Sequence, residues 1–140
     1  MTRVRTTQTP DGRRLEVSHV LSAPAADAWD ALVDTTQWPD WSPTIHGVES
    51  TDRRVQDGTT GRVRLPGVWV PFEITGCTER RWTWRVTGIP ATAHRVDDLG
   101  NDRCRVAFEL PLYQAGYAPV CLRALHNVEA LLTDDAAAVQ

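Results

Sequence analysis

The chain has 140 residues, 41% hydrophobic and 24% charged, the balance of one ordinary domain, residues 1–140, that buries roughly 68–70% of its unfolded surface. Fifteen positive side chains, all arginine, stand against eighteen acidic ones for a net charge of −3, so neither a phosphate backbone nor an anionic membrane attracts the chain and nucleic acid is not an expected partner. The absence of lysine also removes Schiff-base chemistry.

In chain order, residues 3–8 and 14–21 have strand character and flank Pro10-Asp11-Gly12, a turn signal, which predicts an N-terminal hairpin. Ser22-Ala23-Pro24 then opens a short amphipathic helix on which Ala28, Trp29, Leu32 and Val33 recur at helical spacing. In Trp38-Pro39-Asp40-Trp41-Ser42-Pro43 the two prolines permit a single turn that places both indoles on one side. Strand-length segments follow at 45–51, 61–65, 68–77, 81–86, 91–99 and 104–110, separated by turn residues and without helices between them. That spacing predicts an antiparallel sheet. Beyond Gly116 the period changes. Pro119 opens a helix whose Cys121, Leu122, Leu125, Val128 and Leu132 form one apolar stripe. The fold class expected is α+β: a curved antiparallel β-sheet wrapped around a long C-terminal helix, with two short helices after the first core strand.

The order of these elements, together with Ala23-Pro24 ahead of Trp29 and the Trp38-Pro39-Asp40-Trp41 segment, resembles the START-like helix-grip superfamily. In particular it is similar to the SRPBCC group of polyketide cyclases/dehydrases and lipid-transport proteins. The resemblance spans essentially the whole chain and implies a deep apolar pocket between sheet and C-terminal helix. Across the superfamily such a pocket holds lipids, polyketides or aromatic molecules, and some members cyclise or dehydrate them. No catalytic motif runs through the group, so no catalytic residue transfers by position.

Period two along the strands groups Trp82, Trp84 and Val86 on one face, Val70, Phe72 and Ile74 on another such face, and Val106, Phe108 and Leu110 on a third. Apolar alternation does not distinguish a filled core from a hollow one. With six tryptophans in the chain, the expected ligand-lining set is Trp38, Trp41, Phe72, Trp82, Trp84, Phe108 and Leu125. The polar candidates are Arg64, His94, Tyr113 and Tyr117. His94 shares a face with Thr92 and Val96 and is either a structural core histidine or a proton carrier. Tyr113 and Tyr117 flank the start of the last helix, and Arg64 is a guanidinium able to anchor a carboxylate. His94, Tyr113 and Tyr117 are also the candidate catalytic residues.

His19, His46 and His126 show neither H-x-x-x-H nor H-E-x-x-H spacing, so no metal is expected, and nothing calls for a cofactor. The three cysteines lack C-x-x-C spacing and read as reduced core thiols. No apolar leader or membrane-length run is present, which predicts a cytoplasmic chain without integral membrane association. The leading expectation is a container for a small hydrophobic molecule. One alternative is a polyketide cyclase, aromatase or dehydratase working by acid–base chemistry in the same cavity. The other is a protein-interaction module whose cavity is vestigial.

Overall fold

In the computed structural model residues 1–139 are described, with side chains through Thr133. Eight strands form one antiparallel sheet: β1 Thr2–Thr9, β2 Gly12–Leu21, β3 Gly47–Ser50, β4 Thr60–Leu65, β5 Val68–Thr78, β6 Arg81–Val86, β7 Ile89–Gly100 and β8 Arg103–Pro111. The spatial order β1-β2-β8-β7-β6-β5-β4-β3 places the N-terminal hairpin beside the last strand. The remaining pairings join strands that are consecutive in sequence, as the turn signals predict. In the Pro66-Gly67 turn, Gly67 takes a φ of +80° that a side chain would resist.

Helix α1, Ala25–Val33, begins after an extended Pro24 and buries Ala25, Ala28, Ala31, Leu32 and Val33. A helix leaves its last four carbonyls without intrahelical partners, and here each has one. The Asp34 amide donates to Asp30, Trp41 Nε1 to Ala31 and Trp38 Nε1 to Leu32, while the Val55 amide donates to Val33. The two indoles therefore close the end of α1 while burying their rings. Between them and α1 lies a 3-10 turn, Thr35–Gln37, capped by Asp34, whose carboxylate accepts from the Thr36 amide and from Arg53. Asp34, which reads in sequence as facing away from the core, is buried because of this role. The single-turn helix α2 is Trp38–Trp41.

Helix α3, Ala118–Val139, follows a 3-10 segment, Leu112–Tyr117, and packs across the concave face of the sheet with Cys121, Ala124, Leu125 and Val128 buried. Asn127, which lies off the predicted apolar stripe, is half-buried and donates to the Trp41 carbonyl, tying α3 to α2. On the convex face, Glu16 and Glu109 are cross-strand partners and both are buried. Arg95 donates to both carboxylates at 3.0 and 2.7 Å, Arg81 donates to Glu109, and Arg3 and Arg5 donate to Glu16. Two like charges face to face are tolerable only with such pairing. Among the described residues no helix is long and apolar enough to cross a membrane.

Candidate functional site

Cross-strand register builds an aromatic row on the concave face. Trp82 on β6 is opposite His94 on β7, and His94 is opposite Phe108 on β8. The Trp82 and His94 rings stack with centroids 3.8 Å apart, and Phe108 meets His94 edge-on at 5.0 Å. Trp38 adds a third layer, stacked on Trp82 at 5.3 Å, and Trp41 packs against Phe108. Offset and edge contacts of this kind are worth about 0.5–1.5 kcal/mol per pair beyond area burial.

The row fills most of the space between the sheet and the middle of α3. What stays open there is a nook of about 50 Å³ bordered by Trp38, Trp41, Trp82, Trp84, His94 and Phe108 from the concave face and α2, and by Cys121 and Ala124 from α3. The larger space lies nearer the end of the sheet that carries the β4–β5 and β6–β7 turns. It is a pocket of about 430 Å³ with an apolar wall of Ile45, Val63, Leu65, Trp84, Val86 and Ala91, and with Thr44, Thr92, Tyr113, Gln114 and Tyr117 as its polar groups. Trp84, Thr92, Ile45 and Tyr117 border both spaces.

A hydrogen-bonded chain runs along this shared boundary. Trp84 Nε1 donates to Thr92 Oγ1 at 3.1 Å, and the hydroxyl lies 3.2 Å from His94 Nε2. The hydroxyl has one lone pair engaged by the indole; it either donates to His94 Nε2, with the ring hydrogen then on Nδ1, or accepts from Nε2–H with its second lone pair. Both Nδ1 of His94 and Nε1 of Trp82 are buried without a hydrogen-bond partner. Burial, opposed by the Trp82 backbone and reinforced by the charge of Arg81, pushes the His94 pKa down to about 3, so the imidazole is neutral at physiological pH. At the mouth, Tyr117 and Thr44 hydroxyls are 2.6 Å apart, and burial raises the Tyr117 pKa, so it too is uncharged. Tyr113 and Gln114 both donate to the Pro90 carbonyl, which holds the 3-10 segment against the start of β7.

The sequence-predicted residues divide accordingly. Trp38, Trp41, Trp82, His94 and Phe108 meet at the nook, Trp84 and Tyr117 border both spaces, and Tyr113 is on the rim, largely exposed. Three do not join them. Arg64 is exposed because it is out of phase with Val63 and Leu65, whose side chains line the pocket. Phe72 packs against Trp38 and Trp84 within the core and borders neither space, but rather an open depression of about 580 Å³ lined also by Thr60, Pro71, Glu73 and Arg85. Leu125 is fully buried and borders neither space, since its place on α3 is over the filled part of the sheet. The expectation of a deep hollow walled by indoles is corrected in the same way: the indoles mostly fill. Sequence reasoning missed the aliphatic wall. The alternation Val63-Arg64-Leu65 carried that signal, whereas Ala91 did not: Ala93, two residues on, pairs with Glu109 of the convex face, and a register shift between β6 and β7 precedes it.

Cys121 beside the nook is no nucleophile: burial pushes its thiol up to about 12.

Comparison with known proteins agrees with this architecture. No curated protein sequence matches the chain. Among solved structures, the ZhuI aromatase/cyclase from Streptomyces sp. R1128 is similar with a TM-score of 0.65 at 14% identity, covering 94% of each chain. CalU16 from Micromonospora echinospora is similar with a TM-score of 0.64 at 18% identity, covering 94% of this chain and 82% of that one. Norcoclaurine synthase from Thalictrum flavum has a TM-score of 0.57 at 15% identity, covering 93% and 94%. At these identities the likeness is one of fold. The sequence profile described as polyketide cyclase / dehydrase and lipid transport matches residues 12–133, and over that span, with a helix-grip fold around it, the chain belongs to the polyketide cyclase/dehydrase and lipid-transport family.

Proposed function

We propose that the protein binds a small, largely apolar molecule with an oxygen-bearing end in the 430 Å³ pocket, its oxygen directed into the nook. The observation that carries this reading is the pairing of an aliphatic wall with an adjoining aromatic nook bordered by Trp82 and His94, each of which has a buried ring nitrogen without a partner. Trp82 Nε1–H is a donor, as is His94 Nδ1–H in the tautomer in which the Thr92 hydroxyl donates to Nε2. A buried donor without a partner costs about 1–3 kcal/mol, so a carbonyl or hydroxyl oxygen brought there recovers that cost. The apolar body contributes about 25 cal/mol per Å² buried. A volume of 430 Å³ is within the range of sites for drug-sized ligands.

Binding without turnover is favoured over acid–base catalysis because burial keeps His94 neutral and weakly basic, so at neutral pH it is neither an imidazolium acid nor an effective proton acceptor. The cyclase reading rests on Tyr117 and Thr44, whose paired hydroxyls stand at the pocket wall where a neutral phenol can donate to a carbonyl undergoing enolisation.

The test is titration of intrinsic tryptophan fluorescence with hydroxylated anthraquinone and naphthol probes. Saturable quenching at one equivalent is expected, weakened at least tenfold in Ala91→Phe, which fills the wall, and unchanged in Arg64→Ala. Quenching that never saturates, or that Ala91→Phe leaves intact, overturns the assignment. Multiple turnovers of a poly-β-ketone that are lost in Tyr117→Phe would establish the cyclase instead.

A further inference from the structure

We propose that His19, His126 and Glu129 form a zinc-binding site that fastens α3 to the N-terminal strand pair. His19 is on β2 in phase with Val17 and Leu21, so it faces the concave side under α3 and is buried. His126 and Glu129 are three residues apart on α3, the spacing that brings two side chains onto one helix face. One ligand atom from each of the three lies within 4.8 Å of the others. The two imidazoles stack with centroids 4.9 Å apart, and His19 Nε2 is 3.0 Å from Glu129 Oε2. Donors held at about 2.0–2.1 Å on a tetrahedral zinc are about 3.3 Å from one another. The His19–Glu129 pair already meets that spacing, and His126, being exposed, has room to turn its ring inward.

The other nitrogen of His19 supports the assignment. Its Nδ1 lies 3.0 Å from Thr2 Oγ1, a hydroxyl that can donate or accept. In the absence of metal, the ring hydrogen on Nε2 satisfies Glu129 and the Thr2 hydroxyl donates to Nδ1. With zinc on Nε2 the hydrogen moves to Nδ1 and Thr2 accepts it, which is the outer-shell partner that metal-bound imidazoles ordinarily have. Two imidazoles and a carboxylate suit a borderline divalent ion such as zinc over calcium or magnesium, and three protein donors leave a fourth position for water. The histidine spacings that exclude a site on one element are silent about donors that meet across β2 and α3. The cluster is near the Leu21 end of β2, whereas the 430 Å³ pocket draws on none of its three residues.

The experiment is isothermal titration of the untagged, chelator-treated full chain with zinc sulfate, paired with thermal melts. One equivalent is expected to bind and to raise the melting temperature. His126→Ala and Glu129→Gln, both at solvent-accessible positions, are each expected to weaken binding at least tenfold while melting like the wild type in zinc-free buffer; His46→Ala is the control expected to bind normally. Absence of zinc binding overturns the proposal, as does binding that neither variant weakens.

Discussion

His94 is buried beside the nook, and its protonation can be read from the pH dependence of folding. Above about pH 6.5 both the native and unfolded states carry a neutral imidazole and no difference arises. Below it the unfolded chain takes up a proton that the native state refuses until pH falls to about 3. Native stability therefore drops by about 1.4 kcal/mol per pH unit across that window from this group alone. Between pH 7 and pH 5 the loss integrates to about 2 kcal/mol. His94→Gln keeps a polar group near Thr92 and cannot titrate. Urea denaturation of both proteins at pH 7 and pH 5 isolates the effect, because His19, His46 and His126 are common to both and cancel in the comparison. The wild type should lose about 2 kcal/mol more than the variant over that interval. Parallel losses, agreeing within about 0.5 kcal/mol, would mean that water reaches the ring, and the case against His94 as a proton donor would fall with it. At a pKa of about 3, roughly one molecule in ten thousand carries the imidazolium at pH 7.

Asp34→Ala removes the cap of the 3-10 turn and the partner of Arg53, and should cost about 1–2 kcal/mol in denaturant melts at pH 7. Arg53 first, with Thr36, holds the Asp34 carboxyl down to about 2; the depressed value means its contribution is complete above the ordinary 3.8 and fades as pH falls towards 2, so the gap between wild type and variant should close over that interval. Gly61→Ala directs a Cβ at the Glu49 carbonyl and to within 2.8 Å of the Phe72 ring, so a loss of about 1–3 kcal/mol is expected, against about 1 kcal/mol for Gly88→Ala, where a φ of +77° meets open space. Burial pushes Cys104 up to about 11 and Cys121 to about 12. Iodoacetamide at pH 8 should leave both unmodified in the native state, as peptide mass mapping can show, and label them once the chain is unfolded.

Much of the fold is legible because it depends on local rules. Alternation grouped Trp82 with Trp84 on one face of their strand and His94 with Thr92 and Val96 on one face of the next, and the period change after Gly116 marked α3. Turn residues separated the strands to within a few positions. What depends on contact across elements was not legible. Nothing in Arg-Trp-Thr-Trp or Ala-Thr-Ala-His says that Trp38, arriving from a different part of the chain, stacks on Trp82 and fills the space that alternation alone leaves open to either reading. Glu16 and Glu109 look like solvated residues on the outer phase of their strands, yet they are buried because Arg95, 79 residues from one and 14 from the other, bridges them. Arg64 was a misjudged anchor for the complementary reason: its phase points away from the pocket even though its neighbours line it. Helical spacing was equally silent about Glu129 and His126, whose partner on the opposite layer is more than a hundred residues earlier.

The division between a packed part and an open part of the concave face has a consequence for how a ligand is chosen. The stacked Trp38, Trp82 and His94 rings and the indole caps on α1 secure the body of the fold, whereas Ile45, Val63, Leu65, Val86 and Ala91 form the wall of the pocket. Val86 and Ala91 are only partly buried, so their contribution to folding is small compared with that of a fully buried indole. The outer wall is a 3-10 segment without a buried residue, held by hydrogen bonds from Tyr113 and Gln114 to Pro90 and by one between the Tyr117 and Thr44 hydroxyls. Substitutions at Val86, Ala91 and along the 3-10 segment therefore reshape the site at little cost to the scaffold, whereas Ile45 and Val63 are buried in the core. Structures that share this architecture at 14–18% identity are alike in fold, and in this chain the sheet, the grip helix and the filled centre are the parts that the packing holds most firmly.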